Sequence, residues 1–447
     1  EESVVTPTTR AIGLADLNGD GLLDIVVVNA GRNADLVYTN DKNGKFNTTI
    51  LPGGDTQTAD IGLGDINGDG RVDIIVQTIN GANNALLNMG GGNYNLNILP
   101  EQDGSSSAVA LGDLNGDGSL DVVFGMNKDA VNSVLLNDID NFAYKTRRLQ
   151  AGGSDVQANA VVLADMNGDG ILDVIIANEG AENQMYMSDE DGNYVSVPIR
   201  VDLSDAGTLS RAIAVGDLNN DGILDVVVGN NQSADQIFMG RENNSFEVIK
   251  LFSKTSMGRT FDGLVLTPEQ SATASIAIGD LDKDGRLDIV MGYQRTRDNS
   301  GANEVFYQDE GGNFTAYALP GDDSSTNALA LGDFNGDDSL DIATVNQGQN
   351  QVLLYNGNRT FTPTSLPGSA SVTTSIAVGD VNGDRYLDIV LGAPRGVNNI
   401  MLLNSNGSGT FNEAVMLPET EGVTNGVALG DFNGDSLVDI IFGNNQQ

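Results

Sequence analysis

Apolar and polar positions follow one order that recurs nine times along the 447 residues. A run in which large apolar and small residues alternate, such as Ile213-Ala214-Val215-Gly216, has the period of two expected of a β-strand. A polar loop follows, and then a continuously apolar run such as Asp225 to Val228, which is typical of a strand buried on both faces. A third strand such as Val134-Leu135-Leu136 and a fourth such as Phe361 to Pro367 complete the unit. Four strands per unit, repeated in this way, predict an all-β fold of the β-propeller type.

The polar loop between strands 1 and 2 carries the oxygen ligands of a calcium site. In the third copy Asp113, Asn115, Asp117 and Asp121 occupy positions 1, 3, 5 and 9 of the loop. Gly118 at position 6 permits the φ > 0 turn that swings the carbonyl of position 7 inward. The EF-hand has the nearest spacing, but its Glu at position 12 and its flanking helices are missing here. The loop is therefore expected to join two strands of one blade.

The same positions supply candidate ligands in all nine copies, through side chains at positions 1, 3, 5 and 9 and the main-chain carbonyl at position 7. They are Asp16, Asn18, Asp20, Leu22, Asp24, Asp65, Asn67, Asp69, Arg71, Asp73, Asp113, Asn115, Asp117, Ser119, Asp121, Asp165, Asn167, Asp169, Ile171, Asp173, Asp217, Asn219, Asp221, Ile223, Asp225, Asp280, Asp282, Asp284, Arg286, Asp288, Asp333, Asn335, Asp337, Ser339, Asp341, Asp380, Asn382, Asp384, Tyr386, Asp388, Asp431, Asn433, Asp435, Leu437 and Asp439. They predict about six to nine bound Ca²⁺ ions, whose binding would be coupled to folding because the clustered carboxylates repel one another without metal. Solvated Asp-rich turns without metal are the alternative.

Position 6 separates the last three loops from the first six. Asp338, Arg385 and Ser436 replace the Gly there, and Arg and Ser adopt a left-handed backbone less readily than Gly or Asp. We expect calcium to be held more weakly or differently in these three loops.

Composition excludes several classes of function. The chain has 22 Lys and Arg against 62 Asp and Glu, a net charge of -40, which disfavours binding to nucleic acid or to anionic membranes. It contains no Cys and no His, so disulfides, zinc sites and His-based catalytic triads are excluded. No apolar run reaches the roughly 18 residues of a membrane span, and membrane insertion is not expected. Weak calcium loops of this kind work at millimolar calcium, which favours a secreted or cell-surface protein.

An Asn or Asp stands just before the third strand in most units. Side chains of this type commonly accept hydrogen bonds from the backbone of a turn, and we expect them to cap the turn between strands 2 and 3. The residues are Asn83, Asn132, Asn183, Asp235, Asn303 and Asn350.

The Asp-x-Asn-x-Asp-Gly-x-x-Asp core, the strand order and the tripeptide Gly392-Ala393-Pro394 resemble FG-GAP or VCBS repeats, which form the propeller domains of integrin α subunits. The resemblance covers nearly the whole chain and implies a calcium-stabilised propeller, usually extracellular, used for adhesion, carbohydrate binding or protein recognition. Nine motif copies predict a single domain over residues 1–447 with about nine four-stranded blades, where seven are usual in the family. An eight-bladed propeller is the alternative. The copies begin at residues 16, 65, 113, 165, 217, 280, 333, 380 and 431.

The ninth unit ends after its second strand, at Ile441-Phe442-Gly443. The segment Ser3 to Pro7 could add a strand there, or the open edge could pair with another chain. Three functions remain open: a non-catalytic extracellular module that binds a glycan or a protein, a structural subunit that assembles by strand exchange at this edge, and a calcium-dependent polysaccharide lyase or hydrolase. The third would need Lys, Arg or Tyr as its base.

The turns joining strands 2 to 3 and 4 to 1 are expected on the face opposite the calcium loops, and they are longest in the fifth and sixth units. There they place basic and aromatic residues on an otherwise acidic surface, where Arg forks beside an aromatic face could hold an anionic sugar or a carboxylate. Ordinary solvated loops are the alternative. The candidate ligand-binding residues are Lys254, Arg259, Phe261, Tyr293, Arg295 and Arg297.

Overall fold

The structure, a computed structural model, consists of β-strands joined by turns. It describes residues 8–30, 34–40, 45–53, 57–79, 81–100, 106–126, 131–138, 143–149, 157–179, 183–189, 192–197, 209–233, 235–241, 245–251, 271–294, 302–321, 325–368, 372–394, 396–411, 414–417, 423–431 and 438–445. No helix with the length and hydrophobicity needed to span a membrane occurs among these residues.

Successive strands pair antiparallel within each repeat, in the order first, second, third, fourth. Blade 1 comprises β1 (Thr8–Ala15), β2 (Asp24–Ala30), β3 (Leu36–Asn40) and β4 (Phe46–Ile50); blade 2, β5 (Thr58–Gly64), β6 (Asp73–Thr78), β7 (Asn84–Asn88) and β8 (Tyr94–Ile98); blade 3, β9 (Ser106–Gly112), β10 (Asp121–Met126), β11 (Ser133–Asp138) and β12 (Ala143–Arg148); and blade 4, β13 (Gln157–Ala164), β14 (Asp173–Glu179), β15 (Gln184–Ser188) and β16 (Tyr194–Val197). Blade 5 comprises β17 (Leu209–Gly216), β18 (Asp225–Ser233), β19 (Asp235–Arg241) and β20 (Ser245–Leu251); blade 6, β21 (Ser271–Gly279), β22 (Asp288–Tyr293), β23 (Glu304–Gln308) and β24 (Phe314–Ala318); blade 7, β25 (Thr326–Gly332), β26 (Asp341–Asn346), β27 (Gln351–Tyr355) and β28 (Phe361–Ser365); and blade 8, β29 (Ser375–Gly379), β30 (Asp388–Gly392), β31 (Ile400–Leu402) and β32 (Ala414–Met416).

The ninth motif copy does not form a four-stranded blade among the described residues. It lies in the hairpin of β33 (Val423–Gly430) and β34 (Asp439–Asn445). Among the described residues, β34 pairs with β1 only at Thr8 and Asn445. The propeller therefore has eight four-stranded blades, which confirms the alternative count; the expectation of nine was wrong. Nine motif copies overcount the blades because a motif requires only strands 1 and 2 of its unit. Ser3 to Pro7 lies outside the described residues, so its role in closure stays a prediction.

Residue contacts divide the chain into two compact units. The first consists of Glu1–Gly207, Gly430–Asp439 and Asn445–Gln447, and contains blades 1 to 4. The second consists of Thr208–Leu429 and Ile440–Asn444, and contains blades 5 to 8. The organisation of residues 1–447 as a single domain stays a prediction.

Small residues in the first strands allow neighbouring blades to approach closely. A Cβ added at Gly62 of β5 would come within 2.8 Å of the Leu111 side chain of β9, a distance that real Cβ atoms do not show. At Gly112 of β9 an added Cβ would come within 2.7 Å of Leu172 in the next blade. The alternation of large and small residues in these strands therefore reflects packing between blades, as the sequence pattern predicts.

The second strands lie inside each sheet, and most of them are buried along their length. All six residues of β6, β10, β22 and β26 are buried, because a neighbouring blade covers each face. In the first compact unit, Ile75 of blade 2 lies in one apolar cluster with Val122 and Phe124 of blade 3. The core of each unit thus lies in layers between adjacent sheets.

The residues predicted to cap the turn between strands 2 and 3 do so. In blade 2, the Asn83 Oδ1 accepts a hydrogen bond from the Thr78 N–H at 2.7 Å. The side-chain oxygens of Asn132, Asn183, Asp235, Asn303 and Asn350 accept the corresponding N–H in their own blades. Asp35 and Asn399 complete the set in blades 1 and 8.

Candidate metal centres

The loops between strands 1 and 2 share one hydrogen-bonded frame in all eight blades. In blade 3, the Asp113 carboxylate accepts the N–H groups of Asp117 at 3.2 Å and Gly118 at 2.9 Å, and the Asp117 Oδ1 accepts the Ser119 N–H at 2.8 Å. The same three bonds, to positions 5, 6 and 7, recur in the other loops. The backbone thus holds the position 1 and position 5 carboxylates in a fixed turn.

Position 6 has a positive φ in every one of these eight loops, whatever its residue. Gly118 has φ 83°, while Asp338 and Arg385 have φ 63° and 75° in loops 7 and 8. Both non-glycine residues keep the hydrogen bond from their N–H to the position 1 carboxylate. The replacements therefore preserve the loop shape at a cost in backbone strain. Ser436 of the ninth loop lies outside the described residues, as do Asn433, Asp435 and Leu437.

The carboxylate at position 9 is fully buried and joins the loop to the third strand. The Asp121 Oδ2 accepts the Leu114 N–H at 2.9 Å, and its Oδ1 accepts the Asn137 N–H at 2.7 Å. The equivalent pair of bonds is present in all eight blades. Because each oxygen has two lone pairs, these bonds leave both oxygens able to bind a cation as well.

Burial raises the pKa of these position 9 carboxyls. Desolvation is the largest cause, and backbone hydrogen bonds offset it in part. The pKa rises to about 7 for Asp121 and Asp288 and to about 6 for Asp73 and Asp225. The fold therefore keeps carboxyl groups where an uncompensated negative charge is unfavourable.

Loop 6 brings three carboxylates together. Oxygens of Asp280, Asp282 and Asp288 lie within 4.8 Å of one another, and the buried Asp282 Oδ1 has no hydrogen-bond partner among the described residues. The Asp282 Oδ2 accepts the Arg359 Nε–H at 2.9 Å, and the Arg359 guanidinium lies 4.6 Å from the ring centre of Tyr307. Loop 6 thus holds three carboxylates close together, and the charge of one of them, Asp282, is partly neutralised by Arg359.

A further polar contact, which the sequence analysis missed, links adjacent blades. The Asn137 Nδ2 at the third strand of blade 3 donates to the Ile66 carbonyl of the blade 2 loop at 2.6 Å and to the Leu120 carbonyl at 3.3 Å. Asn88 and Asn404 make the same pair of bonds in blades 2 and 8. We call these three side chains the Asn clamps. The sequence signal is an Asn that directly follows the apolar run of the third strand.

Of the six residues predicted to bind a ligand, the structure describes one, Tyr293. Lys254, Arg259, Phe261, Arg295 and Arg297 lie outside the described residues. Tyr293 is 1% exposed and packs in an apolar cluster with Met291 and Phe306, so its ring cannot offer a face to a ligand. Its inclusion in the ligand site was therefore wrong, because all of β22 is buried and Tyr293 lies in the core.

A family model described as "FG-GAP-like repeat" matches this chain eight times. The matched segments are residues 16–76, 65–124, 113–176, 165–228, 217–291, 280–344, 333–391 and 380–442. Each segment runs from one polar loop to the second strand of the next unit.

Among curated proteins, the chain is similar to cartilage acidic protein 1 of Xenopus tropicalis, with 25% identity over 177 residues. That match covers 38% of this chain and 26% of the relative, so the chain spans about a quarter of that protein's length.

Three solved structures align with this chain. Saccharomyces cerevisiae Sqt1 aligns with a TM-score of 0.54 and 12% identity, covering 86% of this chain and 93% of that one. An Agrocybe aegerita lectin described as recognising non-reducing terminal N-acetylglucosamine aligns with a TM-score of 0.43 and 21% identity, covering 71% and 81%. The V. cholerae biofilm matrix protein Bap1 aligns with a TM-score of 0.34 and 14% identity, covering 97% and 84%. The first likeness concerns fold alone, and the other two bear on neither fold nor function.

Proposed function

Because the chain belongs to the FG-GAP-like repeat family, we propose that it is a non-catalytic binding module, stabilised by calcium and active outside the cell, that recognises a glycan or a protein. The observation that carries this proposal is the hydrogen-bonded frame shared by the eight loops, which fixes oxygen-bearing side chains in the spacing of a calcium site.

The donor set fits a hard cation. Every side-chain candidate is a carboxylate or an amide oxygen, and calcium takes six to eight oxygen ligands. In loop 6, the unpaired Asp282 Oδ1 beside Asp280 and Asp288 is a buried acceptor that a cation would satisfy. The ion would be held by the side chains at positions 1, 3, 5 and 9 and by the main-chain carbonyl at position 7. It would neutralise the negative charge of the carboxylates, which is unfavourable where they are buried.

Thermal unfolding tests the calcium part of the proposal. The unfolding temperature should be higher in excess calcium than in EDTA, and magnesium should substitute poorly because it demands a smaller octahedral site. Asp117→Ala should lower the calcium-dependent increment, whereas Asp138→Ala, which removes an exposed carboxylate of the same blade outside the loop, should not. Equal unfolding temperatures in calcium and in EDTA would contradict the proposal.

An extracellular setting and a ligand surface belong to the same proposal. Calcium loops of this type suit millimolar calcium, and the curated relative is a protein named for cartilage. The long turns of the fifth and sixth units are proposed to bind an anionic sugar or a carboxylate, without Tyr293. A glycan array that compares the wild type with the double variant Arg295→Ala plus Arg297→Ala tests this surface. Unchanged binding in the double variant would place the ligand elsewhere.

The lyase or hydrolase alternative receives less support. A tyrosine that acts as a general base needs a lowered pKa, whereas burial raises the pKa of Tyr94 and Tyr144 to about 12. Absence of product from a panel of acidic polysaccharides in excess calcium is the expected result, and any cleavage would favour the enzyme.

Assembly by strand exchange is favoured by one observation. Beyond its hairpin partner, β34 pairs with β1 only at Thr8 and Asn445 among the described residues, and an open strand edge can accept another chain. Light scattering after size exclusion would show oligomers that grow with protein concentration. A monomer at all concentrations would exclude this role.

A further inference from the structure

A polar cleft of about 570 Å³ lies between blades 5 and 6, beside their metal loops. Residues of the blade 5 loop, of β19 and β20, and of the turn between β23 and β24 line it. This volume falls within the roughly 300–1,000 Å³ of small-molecule sites. The cleft lies entirely within the second compact unit.

The cleft lies beside a clamp position that is occupied by Gln instead of Asn. Gln308 occupies the clamp position of blade 6, because its backbone N–H donates to the Asp288 Oδ1 at 3.1 Å. The Asn88 N–H makes the equivalent bond to the Asp73 Oδ1 at 2.7 Å in blade 2. The Asn88 Nδ2 has two carbonyl partners. The Gln308 side chain is fully buried and lines the cleft, yet neither its Nε2 nor its Oε1 has a hydrogen-bond partner among the described residues.

A second side chain in the cleft shows the same contrast. Arg71 and Arg286 both occupy position 7 of their loops and pair with the position 5 carboxylate, Asp69 or Asp284. The Arg71 Nε also donates to the Asn88 carbonyl at 2.6 Å. The Arg286 Nε is buried and has no hydrogen-bond partner in the part of the chain that the structure describes. Gln308 and Arg286 both line this cleft, and together they carry three buried polar atoms that have no hydrogen-bond partner among the described residues. Unpaired buried groups of this kind carry a desolvation penalty.

The lining favours a neutral, hydroxyl-rich ligand. It contains four carboxylates against two guanidinium groups, and each guanidinium is already paired, Arg241 with Glu247 and Arg286 with Asp284. An anion would therefore meet net negative charge. The Gln308 amide can donate and accept at once, which matches adjacent hydroxyl groups. The partly exposed ring of Phe314 offers apolar surface for the C–H face of a sugar ring.

We propose that this cleft, which we call the Gln308 cleft, is a binding site for a neutral saccharide. The inference rests on the proposed binding function and adds a second site to it. This site lies beside the metal loops and is separate from the surface proposed on the long turns of the fifth and sixth units.

An array of immobilised neutral and anionic saccharides in excess calcium tests the site. The wild type should bind neutral saccharides, and Gln308→Leu should weaken that binding by at least about tenfold because it removes both hydrogen-bonding atoms. The matched control is Gln236→Leu, which removes another buried Gln with an unpaired oxygen, at the opposite end of β19 and outside the cleft. Its binding should equal that of the wild type.

Gln308→Asn is a second variant, to be used if Gln308→Leu fails to fold. It is expected to fold because Asn occupies this position in blades 2, 3 and 8. It should fold and also lose binding, since the shorter amide is expected to close on the neighbouring carbonyls as a clamp. Retained binding in both Gln308 variants, or wild-type binding only to anionic saccharides, would overturn the inference. No saccharide binding together with a calcium-dependent rise in unfolding temperature would overturn the Gln308 cleft and leave the calcium proposal standing.

Discussion

Replacing Asn137 by Ala removes the side chain that joins blade 3 to the loop of blade 2. The Asn137 Nδ2 donates to the Ile66 carbonyl at 2.6 Å and to the Leu120 carbonyl at 3.3 Å, and the residue is 3% exposed. A buried hydrogen bond contributes about 0.5–1.5 kcal/mol net, and a carbonyl left unpaired costs about 1–3 kcal/mol. Because the longer contact is weak, we expect a loss of about 2–3 kcal/mol in the free energy of unfolding.

Equilibrium unfolding in urea measures this loss. Excess calcium keeps the metal loops in one state, and the bond from the Asn137 N–H to Asp121 is independent of the substituted side chain. Asn404→Ala should give the same loss, since its two bonds measure 2.6 and 3.3 Å. Asn93→Ala is the control, because its amide makes only long bonds on an exposed turn and its change should stay within about 0.5 kcal/mol. A loss below about 0.5 kcal/mol for Asn137→Ala would refute the structural role of the Asn clamps.

Two further predictions follow from buried groups. Burial raises the pKa of the Asp121 and Asp288 carboxyls to about 7, against 3.8 for an ordinary Asp, so the folded state binds their protons more tightly than the unfolded state does. The metal-free chain in EDTA should therefore gain stability as the pH falls from about 8 to about 5. A melting temperature that falls as the pH is lowered over this range would contradict the raised pKa values. Gly240→Ala places a Cβ 2.5 Å from the Leu224 carbonyl oxygen and should lower the free energy of unfolding, measured in urea, by about 1–3 kcal/mol. Gly426→Ala should lower it much less, because no atom lies within 4 Å of its added Cβ. Equal losses for the two variants would refute the packing argument.

The loops could be predicted from the sequence because their pattern is local. The φ > 0 requirement at position 6 and the strand period on either side both act within a few residues. The structure shows the same turn at position 6 in separate loops, whether the residue is Gly118 or Arg385. The caps of the turns, such as Asn83, are local too, since they bond five residues away. Patterns that involve residues close together in the chain can be recognised from the sequence alone.

Other features depend on contacts between blades and could not be predicted in the same way. The Asn137 side chain bonds Ile66, 71 residues away, and nothing next to Asn137 in the chain marks that partner. The hydrogen bond from the Asn137 N–H to Asp121 likewise comes from the third strand and not from the loop that contains Asp121. The Gln308 cleft depends on a substitution at one position of a repeated contact, which becomes visible only when the contact is known in other blades. The nine motifs overstate the blade number because β33 and β34 carry a motif without completing a blade.

The most direct test of the account is the number of calcium ions bound per chain, counted by native mass spectrometry after exchange from EDTA into calcium. The hydrogen-bonded frame recurs in all eight four-stranded blades, so about six to nine ions should bind, and Asp117→Ala should reduce the count by one. A chain that remains metal-free, or that loses no ion on this substitution, would contradict the claim that these loops are calcium sites.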